Sequence, residues 1–302
     1  MRILITGASG FVGNRLTKAL LDAGHEVIGA DLVPPESVDN GQGTFQFVEV
    51  DLTDPDSVAS LPLGDVDLLY HLAAAGVKAS SRDWPLCVRV NVLGTLHLKN
   101  TLEELALKLS KVPRIVYSKS YYEDHLLHVP AFMDNPYVVT KQAATDIVEQ
   151  LAKSYPESVR IAKVYQVFGP DDDAGSVLSY AAKTLLAGET ATFGNGEGQR
   201  DWIYIEDFID GLIQCGLSEG EGLLRYDLGN KTAVSLKDLV KQLAVICGRP
   251  ESALVFDPSI DRGDGALCDS ASNWPPDWEP KWPMQKALED LVEGISRKDH
   301  LK

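Results

Sequence analysis

The sequence predicts an α/β protein: a doubly wound parallel sheet with a smaller mixed α/β lobe at its C-terminal end. Three observations carry that prediction. Short apolar, β-branched runs alternate with longer helical patterns through the first half of the chain, an order that produces a parallel sheet with helices on both faces. The first run leads straight into a glycine-spaced turn, and the second ends in an acid, the layout of a strand–turn–helix–strand unit. A length of 302 residues suits one large α/β unit or a core with a smaller lobe.

The first strand is expected at 2–6, where Arg2-Ile3-Leu4-Ile5-Thr6 precedes Gly7-Ala8-Ser9-Gly10-Phe11-Val12-Gly13. A helical pattern at 12–23 follows, then a strand at 26–30 closed by Asp31. Further strands are expected at 46–50, 67–71, 113–118 and 159–165, separated by helices near 54–60, 86–110 and 136–154. Strands in this number fit two mononucleotide-binding halves, a Rossmann-type sheet. After Gly169-Pro170 the alternation weakens, and Asp171-Asp172-Asp173 reads as a loop. Helices are expected near 176–187, 206–216, 235–247 and 284–296, with short strands at 201–205 and 224–228. Trp274-Pro275-Pro276-Asp277-Trp278-Glu279-Pro280 is a turn-rich crossing, since proline breaks helical hydrogen bonding. The division is therefore a core over 1–170 and a lobe over 171–302, with some core elements shared across the boundary.

Composition narrows the function classes. With 44% hydrophobic and 24% charged residues the chain reads as globular, and it has no apolar run long enough to span a bilayer. A first strand at residue 2 leaves no space for a signal peptide, so a cytoplasmic location is expected. The net charge of −16 repels nucleic acid and anionic membranes, and neither is an expected partner. The four cysteines, Cys87, Cys215, Cys247 and Cys268, form no C-x-x-C and read as reduced thiols; the histidines form no H-E-x-x-H, and no metal site is expected.

The glycine turn is the clearest motif. Its spacing is G-x-x-G-x-x-G: Gly7 tightens the turn, Gly10 lets the backbone approach a pyrophosphate, and Gly13 brings the helix against the strand. The helix N-terminus, with Phe11 and Val12 in its first turn, offers unpaired N–H groups and a positive dipole end to phosphates. A carboxylate at Asp31 can accept both hydroxyls of a ribose and would repel a 2′-phosphate. Leu32-Val33-Pro34 behind it supplies no cation, so the expected cofactor is NAD, not NADP. Asp51 and Leu52 stand where the adenine edge would lie, although Asp51 could equally belong to the N-cap of the next helix. In His71-Leu72-Ala73-Ala74 the small residues Ala73 and Ala74, with Leu72, let the backbone come close to the cofactor; His71 reads as structural.

Tyr137-Val138-Val139-Thr140-Lys141 is a Y-x-x-x-K. On a helix the two ends share a face, placing Lys141 beside Tyr137. A free phenol has a pKa near 10 and is a poor base at neutral pH, so a neighbouring ammonium is expected to favour the phenolate. Tyr137 could then take a proton from a substrate hydroxyl. Ser118 and Ser120 point to one side at the end of the 113–118 strand, and Ser120, further toward the edge, is the candidate for holding the substrate oxygen.

These segments, in order and at suitable intervals, resemble the extended short-chain dehydrogenase/reductase superfamily, specifically its NAD-dependent sugar-nucleotide epimerase/dehydratase family. The likeness covers nearly the whole chain: TGASGFVG at 6–13, DL at 51–52, HLAA at 71–74, NVLGT at 91–95, YVVTK at 137–141, KVYQVFGP at 163–170, FGNGEGQRDWIYIEDF at 193–208 and WEPK at 278–281. The resemblance implies a catalytic set of Ser120, Tyr137 and Lys141, a tightly held NAD and a nucleoside diphosphate sugar substrate. It implies a homodimer formed through the helices at 86–110 and 136–154. Asn91 would support the site, and Ser118, Tyr137 and Lys141 would also line the cofactor. Lys163 and Gln166 would lie near the substrate diphosphate, with Arg200 and Arg262 as phosphate-binding arginines, suited by the paired donors of guanidinium.

The chain departs from the family after Ser120. Tyr121-Tyr122 stands where family 4,6-dehydratases carry an Asp-Glu pair, and the segment to Pro136 is short. Glu123 or Asp124 could substitute from a shifted position. Lys119 could pair with a substrate phosphate or carboxylate, or point into solvent. The expected reaction is 4-epimerisation through a transient 4-keto sugar. Alternatives are 4,6-dehydration, decarboxylation or 4-keto reduction, and, from another class, a non-catalytic NAD-binding regulator.

Overall fold

The computed structural model describes residues 1–35, 38–39, 41–110, 112–172, 176–260 and 267–300; Asp173 and Arg262 lie outside the described residues. In chain order the first half runs β1 (Arg2–Thr6), α1 (Phe11–Asp22), β2 (Glu26–Asp31), β3 (Thr44–Glu49), α2 (Pro55–Ala59), β4 (Leu68–His71), α3 (Trp84–Cys87), α4 (Gly94–Leu109), β5 (Arg114–Ser120), α5 (Pro130–Met133), α6 (Pro136–Ser154) and β6 (Val159–Val164). It continues with β7 (Gln166–Phe168), α7 (Val177–Leu186), β8 (Ala191–Phe193), β9 (Gln199–Tyr204), α8 (Ile205–Leu217), β10 (Leu224–Leu228), β11 (Ala233–Ser235), α9 (Leu236–Ile246), β12 (Leu254–Phe256), β13 (Cys268–Asp269) and α10 (Met284–His300).

Seven strands form one sheet in the order β10-β6-β5-β4-β1-β2-β3. The order reverses at β1, the doubly wound arrangement expected from the sequence. Thr6 at the end of β1 lies level with Ala30 in β2 and His71 in β4. The carboxyl ends of three strands therefore meet at the switch point, where ligands of such sheets bind. Ile3, Leu4 and Ile5 are buried on both faces of β1, as a strand covered by helices on two sides requires. On one face α4 and α6 press Leu98, Leu102, Ala144, Val148 and Leu151 onto Leu4, Leu69, Ile115 and Tyr117, apolar stripes set at helical spacing.

The continuous helix expected over 86–110 is instead α3, a π turn over Val88–Leu93, and α4. Asp83 starts it early by accepting a hydrogen bond from the Leu86 amide (2.9 Å). Wide turns of this kind recur at functional sites, and Asn91 sits inside this one.

The chain forms two units. One comprises Met1–Leu127, Phe132–Lys163 and Ile209–Tyr226; the other comprises His128–Ala131, Val164–Phe208 and Asp227–Lys302. Both units are discontinuous in sequence. Residues 209–226 return to the first unit, where the Tyr70 hydroxyl donates to the Leu212 carbonyl (3.3 Å) and Arg114 to the Gly216 carbonyl (2.9 Å). Their strand, β10, extends the sheet beside β6. In the second unit β11, β9 and β13 form a small sheet, β7 also pairs with β9, and β8 pairs with β12. Strands of two or three residues such as β7, β11 and β13 are too short to show a period in sequence. Among the described residues no helix is long and apolar enough to cross a membrane.

Candidate active site

The glycine turn closes as its spacing predicts. Gly7 has φ +76°, and a Cβ there would stand 2.8 Å from the Ala73 nitrogen. A Cβ on Gly13 would stand 2.0 Å from the Gly7 carbonyl oxygen. No side chain can occupy either position without moving the backbone. Gly10 is the N-cap of α1 and makes no side-chain cap, so the first amides of this helix, at Phe11 and Val12, are left for a ligand. Leu72 continues from β4 beside the turn, its amide bonded to the Thr6 carbonyl (3.2 Å). At the end of β2, Asp31 accepts from the Ser9 amide (3.0 Å) and the Leu32 amide (2.8 Å). Leu32 and Val33 are exposed beside it. A bare backbone cradle, an open helix N-terminus and a carboxylate one strand away fit the pyrophosphate and ribose of a dinucleotide.

Asp51 does not cap α2: that cap is Asp54, which accepts from the Asp56 amide (3.1 Å), while Asp51 accepts from Thr53 (2.8 Å). The Leu52 carbonyl is bonded to His97 (2.9 Å). Buried Asn91 ties two parts of the site together. Its amide accepts from the Ala75 N–H (2.7 Å) and donates to the Ala75 carbonyl (3.0 Å) and the Thr140 hydroxyl (2.9 Å). It thereby holds the segment after Ala73 and Ala74 against α6. His71 lies between the Thr6 and Thr95 hydroxyls (2.7 and 3.0 Å), and burial pushes its imidazole down to about 3. It is a neutral structural residue.

Ser120 ends β5, and Asn135 starts α6 by accepting from the Tyr137 amide (3.1 Å). These two termini bring the Ser120 hydroxyl close enough to the Tyr137 phenol to favour loss of its proton. The proximity expected of Lys141 takes a different form. Its ammonium donates to the Tyr117 hydroxyl and the Ser118 carbonyl, both at 2.7 Å, and lies 4.1 Å from the centre of the Tyr117 ring. The Lys141 ammonium is thus engaged by the end of β5 rather than by the Tyr137 phenol. Burial, followed by the charge of Glu123, raises the Tyr137 phenol above its ordinary value, and the neighbouring Ser120 hydroxyl opposes them. Burial brings Lys141 itself down to about 8, against the attraction of Glu123.

Glu123 is the member that motif reading missed as a structural part of the site. It is buried, and its carboxylate accepts from the Ser120 amide (2.6 Å) and the Thr145 hydroxyl (2.5 Å). The signal was present: Ser120-x-x-Glu123 is a capping box, here opening a short 3-10 turn. Tyr137, Lys141 and Thr145 recur every four residues on α6, one face of the helix.

Lys119 does not extend freely into solvent. It pairs with Asp124 (2.5 Å), which also meets Lys163 (3.3 Å). In the second unit Gln166 is level with Trp202 and Arg200 lies two residues earlier on β9, so strand alternation sets Gln166 and Arg200 on one face. Arg200 is buried there.

Residues 3–221 match the model described as the NAD dependent epimerase/dehydratase family. The chain is similar to a UDP-glucose 4-epimerase of Mycolicibacterium smegmatis, 27% identical over 321 residues that cover 99% of each. It is similar also to UDP-glucuronic acid decarboxylase 1 of Arabidopsis thaliana, 27% identical over 313 residues covering 97% of this chain and 69% of that one. Among solved structures it is similar to UDP-glucuronic acid 4-epimerase from Bacillus cereus in complex with UDP-glucuronic acid and NAD, with a TM-score of 0.80, 25% identity, and coverage of 99% of this chain and 100% of that one.

Proposed function

Because this chain belongs to the NAD-dependent epimerase/dehydratase family, we propose that it epimerises carbon 4 of a nucleoside diphosphate sugar, with NAD held by the 7–13 turn, Asp31 and the 72–75 segment. The observation that carries the reading is the placing of Ser120 at the end of β5 against Tyr137 and buried Lys141 on one face of α6, at the carboxyl edge of the sheet. The chemistry NAD supplies when bound is reversible oxidation of a secondary alcohol, and its oxidised ring brings positive charge that favours the Tyr137 phenolate. Tyr137 takes the proton of the sugar 4-hydroxyl as that carbon is oxidised and returns it to the same oxygen when the 4-keto sugar, turned over, is reduced on its opposite face. Ser120 holds that oxygen throughout. Lys141 fixes the end of β5 and supplies the nearby positive charge. In the second unit Gln166 and Arg200, which share a face, are suited to a diphosphate, and UDP, named in the similar proteins above, is the nucleotide we favour.

Epimerisation is preferred to dehydration because Tyr121 and Tyr122 follow Ser120 where an acid pair would be needed. The next two carboxylates are engaged, Glu123 with Ser120 and Thr145, and Asp124 with two lysines. We place the protein in the cytoplasm, with its thiols reduced, as a homodimer through α4 and α6. Leu107 of α4 is exposed.

The test is incubation with UDP-, GDP-, CDP- and dTDP-sugars followed by NMR of the products. Inversion at carbon 4 with no net change in nicotinamide absorbance is expected; net loss of water or CO₂ would overturn the assignment. Tyr137→Phe should lower turnover by about 10²–10⁴-fold while NAD binding persists. A regulator that only senses NAD would be unaffected.

A further inference from the structure

Glu123 stands in the one stretch where this chain departs most from its family, yet it is built into the site from three sides. Its own turn presents it, and the Ser120 amide of β5 and the Thr145 hydroxyl of α6 hold its two oxygens at 2.6 and 2.5 Å. Thr145 lies one helical turn beyond Lys141 on the Tyr137 stripe, so the carboxylate is fixed toward the face that carries the ammonium. A buried ammonium without a counter-charge is strongly disfavoured. Among the described residues the hydrogen-bond acceptors of Lys141 are uncharged, the Tyr117 hydroxyl and the Ser118 carbonyl.

We propose that Glu123 is a positioning residue of the site, the counter-ion that keeps the buried Lys141 protonated. The charged and titratable groups around it agree. From α6 come Lys141 and Tyr137; from β5 come Lys119 and Tyr117; its own turn adds Tyr122, and Arg82 and Asp146 act on the Tyr137 and Tyr117 phenols. Burial raises the Glu123 carboxyl above its ordinary value; against it, Lys141 is the group that most favours the ionised form, ahead of the Thr145 and Ser120 hydrogen bonds. The same carboxylate holds Lys141 up against burial. It also opposes loss of the Tyr137 proton, so it acts on both members of the Y-x-x-x-K pair in the same direction. Removing its charge lowers the pKa of each.

The inference rests on the preceding reading of Tyr137 and Lys141, and its test needs no turnover. The Lys141 side chain is titrated by ¹⁵N NMR in the full-length protein, its resonance assigned by loss in Lys141→Met. Glu123→Gln, which keeps an acceptor for the Ser120 amide, is expected to lower the Lys141 midpoint by about one pH unit or more. Glu123→Asp should restore most of that shift. In the wild-type protein, with no substitution near the carboxylate, the Glu123 carboxyl ¹³C resonance is expected to step at the Lys141 midpoint. In turnover, the whole pH profile of Glu123→Gln should slide toward lower pH with its width kept. A Lys141 midpoint unchanged in Glu123→Gln overturns the proposal, as does a Glu123 resonance blind to Lys141, which also decides the matter should the Gln variant fail to fold. Retained turnover in Tyr137→Phe would instead overturn the catalytic reading and leave the Lys141–Glu123 coupling intact.

Discussion

Single side chains here do their work through what they are buried against. His71 illustrates it: enclosed between two threonines, it stays neutral to a pH of about 3, against an ordinary 6.5. The unfolded chain therefore takes up that proton first as pH falls. Stability from this group is complete above 6.5 and is lost as pH drops toward 3, by at most about 1.4 kcal/mol per pH unit. Denaturant unfolding across that window should show a shallower acid slope in His71→Gln than in the wild-type protein; parallel slopes would remove His71 from the account. Ser120 and Tyr137 were legible in the sequence because each sits at an element end that punctuation marks, a strand edge and an Asn-Pro helix start. The partner of the Lys141 ammonium was not legible. Helical spacing sets the face Lys141 shares with Tyr137, but the packing of α6 on β5 decides that Tyr117 and Ser118 receive its protons.

Among the elements, the first strand–turn–helix has least latitude. Gly13→Ala would drive a methyl against the Gly7 carbonyl, 2.0 Å away. The turn must open to accept it, at about 1–3 kcal/mol, and with it the amides aimed at the pyrophosphate are displaced. The expected result is a lowered melting temperature and loss of the thermal stabilisation that NAD confers on the wild-type protein. Full stabilisation of Gly13→Ala by NAD would show that the turn does not hold the cofactor. Long, strongly patterned elements such as α1, α6 and β1 were readable to within a residue or two, because period and burial agree in them. The break in the 86–110 helix was not. Nothing in the apolar pattern marks the π turn, and Asn91 becomes intelligible only once Ala75 and Thr140 are seen to share its amide.

For the molecule as a whole, a net charge of −16 sets the field that NAD and a nucleotide sugar must cross, both of them anions. Raising ionic strength from about 0.01 M to 0.15 M shortens the screening length from roughly 30 to 8 Å. Association with NAD is therefore expected to quicken with added salt in stopped-flow binding. Slowing would mean that local cations such as Arg200 and Lys163 dominate the approach. The doubly wound sheet was legible from the alternation of runs, but the route of the chain was not: 224–228 looks in sequence like any short strand of the second lobe. It is β10, on the far side of β6 from β5. During synthesis the ribosome must therefore release at least 226 residues before the first unit has all its parts. Until then β6 is a bare edge, open to pairing with a neighbouring nascent chain, so a fragment ending at residue 170 should aggregate rather than fold alone.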